Sequence, residues 1–321
     1  MMIRKFRGFD YIKGLSLLVA VALLCMVLSI GKDFPLISRP ALQQVNSAEN
    51  ASYPLRFAFL SDSHKGWGVF KPIMKEIARG EYSFAVHGGD FVAQGKEDRY
   101  RFFFRELAEV KGKIPLFFVP GNHDVYNKRD KYSLENFHKY CGPDHYWFVR
   151  GDVAFVVLND SRSKIPDDQF NWLESTLRRL RGIVTHIFVF MHVPPFDPRE
   201  GRSYALPKND NEKFMALMEK YRVAYVFSGH IHCYFKEIIN GVIYIVAPPA
   251  GGTPRCSPHS YGYIHITVNG EEIEDSVVTV KNKWWSQLKG DIRYELRVRS
   301  PFLFPLITVV MGQSFFYCLT L

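Results

Sequence analysis

"IPLFFVPGNHD" occupies residues 114–124 and decides how the chain is read. Ile114 to Val119 is a short apolar run rich in aromatic and β-branched residues, which predicts a buried strand. Pro120 and Gly121 then turn the chain. Asn122, His123 and Asp124 follow directly, an amide, an imidazole and a carboxylate that cannot all face one core. Polar residues at the end of a buried strand stand where α/β proteins place their chemistry.

The pattern recurs on either side. "LRFAFLSDSH" ends in Asp62 and His64, "SFAVHGGD" in Asp90, "THIFVFMH" in His192 and "VAYVFSGHIH" in His230 and His232. Helical stretches are predicted between them at about 69–79, 96–110, 168–181 and 212–221. Strands alternating with helices imply a largely parallel sheet with helices on its faces. "YWFVRGDVAFVVLND" adds two strands around a Gly-Asp turn, and about 241–280 is strand-rich. "RYRFFFREL" at 99–107 predicts a helix with a buried aromatic face, not a nucleic-acid surface.

Any one of these polar residues could cap a turn or sit satisfied in a core. As a set, they supply four histidines, two aspartates and one asparagine at five strand ends, a nitrogen and oxygen donor set suited to zinc, manganese or iron. No cysteine lies among them, which argues against a closed structural zinc site.

In this order the motifs Asp62-Ser-His64, Gly89-Asp90, Gly121-Asn122-His123-Asp124, His192 and Gly229-His230-Ile-His232 resemble the calcineurin-like metallophosphoesterases over roughly residues 55–250. The resemblance implies an α/β fold, two mixed β-sheets packed as a sandwich flanked by helices. It further implies two divalent ions per chain, with Asp62, His64 and His232 on one, Asn122, His192 and His230 on the other, and Asp90 bridging. His123 would touch the phosphate or leaving oxygen, and Asp124 would orient the loop. The expected reaction is in-line attack of a metal-bridging hydroxide on a phosphate mono- or diester. Alternatives are a nuclease of the same superfamily and a membrane-tethered binding protein without turnover.

Departures narrow the group. "GDFVAQG" and "GNHD" stand where the protein phosphatases of this family read GDxxDRG and GNHE, so a phosphoprotein is not the expected substrate. Ala93 stands where purple acid phosphatases carry a metal-binding tyrosine. "MHVPP" and "GHIH" look like the bacterial group that includes cyclic-nucleotide phosphodiesterases. The segment 194–211 is expected as a rim loop whose Arg199 and Arg202 could meet an anionic substrate.

The 321 residues carry a formal net charge of +9, which favours anionic partners. "GLSLLVAVALLCMVLSIG" at 14–31 follows Arg4, Lys5, Arg7 and Lys13, the pattern of a signal anchor or signal peptide. It predicts an extracytoplasmic domain, membrane-anchored, or secreted if the segment is cleaved. Residues 32–54 read as a linker, 55–280 as the catalytic domain, 281–299 as a basic juxtamembrane stretch and 300–321 as a hydrophobic C-terminal segment. Outside the apolar ends lie Cys141, Cys233 and Cys256, enough for at most one disulfide there.

Overall fold

A computed structural model describes residues 53–126, 131–281 and 284–299. The apolar segments 14–31 and 300–321 lie outside them, as does most of the linker. Among the described residues no helix is long and apolar enough to cross a membrane.

Every residue of strand β1 (Leu55–Leu60) except Arg56 is buried, which is why its sequence reads as a mostly apolar run instead of alternating. Successive side chains point to opposite faces. Phe57 and Phe59 enter the sandwich interior, while Ala58 and Leu60 meet the helices outside. β1 pairs in parallel with β2 (Phe84–His87), and β2 with β3 (Leu116–Phe118). Antiparallel β10 (Tyr261–Asn269) and β11 (Glu272–Val280) complete a five-stranded sheet ordered β11-β10-β1-β2-β3. The second sheet is ordered β4-β5-β6-β7-β9-β8. Its parallel strands are β5 (Val153–Val157), β6 (His186–Phe190), β7 (Tyr225–Ser228) and β9 (Val242–Val246), with β4 (Tyr146–Arg150) and β8 (Phe235–Ile239) antiparallel at the edges. Both sheets are mixed, as expected.

The two inner faces meet in a phenylalanine core. Phe57 stacks on Phe84 at 5.2 Å and receives Phe155 and Phe188 edge-on at 5.3 and 5.2 Å. Offset and edge-on pairs of this kind add about 0.5–1.5 kcal/mol each beyond burial. Helices α1 (Trp67–Arg79) and α2 (Glu97–Ala108) cover the outer face of the first sheet. Tyr100, Phe102, Phe103 and Phe104 of α2 are buried, as the sequence predicted. Two short helices follow β3, α3 (Asn122–Val125) and α4 (Glu135–Tyr140). Helices α5 (Asp167–Arg181) and α6 (Lys208–Lys220) cover the second sheet. Helix α6 begins four residues earlier than its apolar periodicity indicated, because Pro207 stands at its N-cap, where a fixed φ suits helix entry.

The basic stretch 281–299 is folded. Helix α7 (Trp284–Tyr294) and a π-helical turn (Glu295–Arg299) pack onto the domain. Gly290 packs so closely on the start of α1 that a Cβ would strike the Gly68 backbone. The physical reason is Glu106 of α2, fully buried and surrounded by cations. Lys71 approaches it at 2.9 Å and Arg293 at 2.7 Å, and Arg297 pairs with its other oxygen. Burial by itself would raise the Glu106 pKa, but Arg297, Arg293 and Lys71 outweigh it and hold the carboxyl below its ordinary value.

Removing one partner of a buried ion pair leaves the others uncompensated, so Glu106→Ala should cost about 3 kcal/mol, read as a lower urea midpoint. Because the folded-state pKa is depressed, this contribution is full above the ordinary carboxyl pKa of 4.5. It is lost as pH falls from there through the folded value. The stability difference between Glu106→Ala and the parent should therefore shrink in acid.

Candidate metal centre

Polar side chains gather where β1, β2, β3, β6 and β7 end. Strands run outward there, so their side chains converge only if the backbone turns back on itself. It does so by an uncommon route. Asp62, His64, Asp90, His230 and His232 all have positive φ, between 44° and 68°, a region that non-glycine residues enter rarely and at functional sites. Two glycines make room. Gly89 has φ +94°, and a Cβ on it would meet His192 and Gly121, while one on Gly229 would strike Ser61 and Asp62.

Three donor groups result. In one, Asp62, His64 and His232 present ligand atoms within 4.8 Å of one another, in a second Asp90, His192 and His230 do so, and a third sets His123 beside His64 and Asp90. Asn122 Oδ1 lies 3.1 Å from His192 Nε2 and joins the second. Asp90 Oδ2 is 3.6 Å from His64 Nε2 and 3.3 Å from His192 Nε2, so one carboxylate oxygen faces the first two groups. His123 lies at the exposed rim, its Nε2 4.0 Å from the same oxygen. All seven donors named from the sequence are thus brought together with His123.

Backbone carbonyls aim the rings. His192 Nδ1–H donates to the Gly88 carbonyl at 2.8 Å and His232 Nδ1–H to Thr253 at 2.8 Å, which leaves each Nε2 facing the cluster. A ring nitrogen bonded in this way fixes the tautomer that a metal requires. His64 Nε2 and His232 Nε2 approach to 3.2 Å, and His230 Nδ1 and His192 Nε2 to 3.3 Å. Asp62 Oδ2 accepts from the His230 amide at 2.9 Å, while its buried Oδ1 has no hydrogen-bond partner. A buried, unpartnered carboxylate oxygen among converging imidazole nitrogens fits a cation. Burial keeps His64 and His230 neutral, each pKa lowered to about 4. Burial would lower His192 too, but the charges of Asp90, Asp62 and Asp160 outweigh it and carry it up to about 10.

Asp124, expected to orient the loop, is fully buried. Its oxygens accept from the amides of Asp90 at 2.7 Å, Val92 at 3.0 Å and Gly121 at 2.8 Å. It is a positioning residue that ties the end of β2 to the end of β3. Asp160 does the same at β5 and was missed, accepting from the amides of His192 at 2.9 Å and Val193 at 2.8 Å. The signal was available, since "VVLND" is another apolar strand ending in a carboxylate. Arg199 departs from its expected role. Two of its nitrogens bind Asp197 at 2.8 and 2.7 Å, so its charge is already matched.

A two-sheet sandwich with two donor groups sharing one carboxylate at its strand ends is the architecture of metallophosphoesterases. Residues 55–234 match the model of the calcineurin-like phosphoesterases, more than half of the chain, and the chain belongs to that family. It is 30% identical over 175 residues to human serine/threonine-protein phosphatase CPPED1, covering 51% of this chain and 56% of that protein. The chain thus spans about half the length of the curated relatives it matches. Among solved structures, a dimetal phosphatase from Danio rerio superposes with TM-score 0.57 at 14% identity, covering 72% of this chain and all of that one. A purple acid phosphatase from yellow lupin gives 0.58 at 14% identity, covering 74% of this chain and 56% of that one. Both likenesses bear on the fold alone.

Because both Asp124 oxygens act as acceptors, an amide in its place turns a donor toward a donor. Asp124→Asn should therefore do nearly as much harm as Asp124→Ala, each lowering metal affinity or turnover by about 10–100-fold. Metal content after dialysis and turnover check this, and a benign Asp124→Asn would refute the all-acceptor arrangement.

Proposed function

We propose that the chain is a dinuclear-metal phosphoesterase that hydrolyses phosphate mono- or diesters. The observation that carries the reading is Asp90 Oδ2, which faces His64 and His192 at 3.6 and 3.3 Å and so stands between two donor groups. Asp62, His64 and His232 would hold one divalent ion, Asn122, His192 and His230 the other, and Asp90 both. Bound ions of this kind, manganese, iron or zinc, lower the pKa of coordinated water toward neutrality and offset the charge of phosphoryl oxygens. The donor chemistry is oxygen and nitrogen without sulfur, which suits these borderline cations.

The protein's own contribution is orientation and a proton. Asp90 Oδ1 accepts the His123 amide at 2.7 Å, fixing the start of α3 over the site. The imidazole of His123 places Nδ1 3.1 Å from the Ala93 carbonyl. With that proton committed, the proton of the imidazolium Nε2 is the one available to a phosphoryl or leaving oxygen. Ala93 takes part through its carbonyl and has no phenolate to offer, which supports a site without metal-bound tyrosinate.

The likeness to serine/threonine-protein phosphatase CPPED1 supports a phosphomonoester such as phosphoserine as one substrate and weighs against setting phosphoproteins aside on "GDFVAQG" alone. The aromatic face of α2 is buried and so offers no stacking surface for bases, which lends the nuclease reading no support from that helix. Within the same proposal the domain lies on the extracytoplasmic side, anchored through the segment before residue 32. The Cys233–Cys256 disulfide supports that placement, because such bonds persist in oxidising compartments.

Elemental analysis of the full chain should find about two divalent ions, with chelators removing activity. Asp90→Ala should lose both metal and turnover. His123→Ala should keep the ions but slow hydrolysis by on the order of 10² to 10⁴, more for an alkyl phosphate than for nitrophenyl phosphate, whose leaving group needs little protonation. Equal slowing of the two substrates would rule out the proton-donor role.

A further inference from the structure

Beside the donor cluster, the loop after β9 is fastened to the site at three points. Thr253 O receives His232 Nδ1–H at 2.8 Å, the Arg255 amide donates to the His232 carbonyl at 3.0 Å, and Cys256 is disulfide-bonded to Cys233. Gly252 lies inside this wrap, where a Cβ would press on the rings of His232 and His64. The loop is therefore fixed relative to the proposed metal ligands it borders.

That loop presents Arg255, which is exposed. Its guanidinium lies over the Tyr204 ring at 5.9 Å, and the same ring stands 6.3 Å from the His230 imidazole. Tyr204 is itself anchored, its amide donating to Asp197 at 3.1 Å and its ring lying 5.4 Å from the Arg199 guanidinium. Arg255 is close enough to His232 for its charge to oppose protonation of that ring. The contrast with Arg199 is informative. Asp197 neutralises Arg199 at 2.7 Å, whereas Arg255 has no carboxylate partner among the described residues. A positioned, unneutralised guanidinium at the rim of an anion-binding site retains its fork of donors for a phosphate or carboxylate.

We propose that Arg255, held in place by Tyr204, binds a second anionic group of the substrate while the reacting phosphoryl occupies the donor cluster. This rests on the phosphoesterase reading above and narrows it to esters carrying a further phosphate or carboxylate.

The test uses the manganese-loaded full chain and three uncleavable probes, phenylphosphonate, 4-carboxyphenylphosphonate and benzene-1,4-bisphosphonate, with affinities measured by calorimetry. At least one doubly anionic probe should bind about tenfold tighter than phenylphosphonate, and which one does so identifies the second anion as carboxylate or phosphate. Arg255→Gln and Tyr204→Ala should bring that ratio toward one, while Arg255→Lys and Tyr204→Phe should retain part of it. A parent protein with no preference, or an Arg255→Gln protein whose ratio is unchanged, overturns the proposal. Loss of affinity by the same factor for all three probes leaves the ratio unchanged and means that Arg255 serves the reacting phosphoryl instead. Hydrolysis of phenyl phosphate by the parent separates the two levels. Turnover without a preference overturns the second-anion site alone, whereas neither turnover nor phosphonate binding overturns both.

Discussion

Everything at this site depends on five residues held with left-handed backbone at the ends of strands. Asp62, His64, Asp90, His230 and His232 each take φ between 44° and 68°, at a cost on the order of 1 kcal/mol apiece. Together that is comparable with the net stability of a whole domain, so it persists only where the surroundings over-determine it. The surroundings do so here. Each strand is buried on both faces, between the phenylalanine sandwich and a helical layer, and cannot rotate to relieve its last residue. The reward is convergence, since ordinary extended continuation would carry the donors away from one another.

Two buried carboxylates complete the arrangement by acting on backbone. Asp124 gathers amides from the ends of β2 and β3, and Asp160 gathers those of His192 and Val193 at the end of β6. Neither is a donor to the cluster, yet each fixes where a donor begins. The division of labour is electrostatically sensible. Asp62 and Asp90 bring negative charge to the centre, because the neighbouring histidines outweigh burial and hold both carboxyls below their ordinary value, while burial pushes the other two up, Asp160 to about 6, against the pull of the backbone N–H groups they accept from. Four carboxylates can then crowd one region without all competing for the same cations.

Much of this was legible in the sequence, and the residues that were not share a reason. The strands, the donors at their ends and the aromatic face of α2 show as apolar runs broken by polar residues, a local signal. Asp160 carries the same local signal, but its partners, the amides of His192 and Val193, lie more than thirty residues along the chain. Arg199 read as a free rim cation because its neutralising partner, Asp197, is two residues away and its geometry invisible in one dimension. The docking of α7 depends on Glu106, nearly two hundred residues earlier, and a basic run gives no sign of which acid will meet it. Aspartate and histidine enter the positive-φ region more readily than most residues, but nothing local marks which of them will, and only Gly89 and Gly229 hinted at tight backbone.

The family match ends at residue 234, but the site does not. β10 pairs with β1 along five residues, Leu55 to Phe59, and separates it from β11. The segment from Asp62 to Gly68, the loop and the start of α1, is then gripped from two directions beyond the match. On one side Gly252 N donates to Asp62 O at 2.6 Å, and Gly251 packs against Gly66. On the other, Gly290 of α7 presses on Gly68, and Lys65 lies over the Tyr294 ring at 5.6 Å. This loop carries Asp62 and His64, two of the strained residues. A segment confined to 55–234 would keep all seven donors, expose β1 as a sheet edge and release the loop that holds two of them. The donors are therefore encoded in one part of the chain and their geometry in another, and the basic C-terminal helix belongs to the centre through the backbone it holds in place.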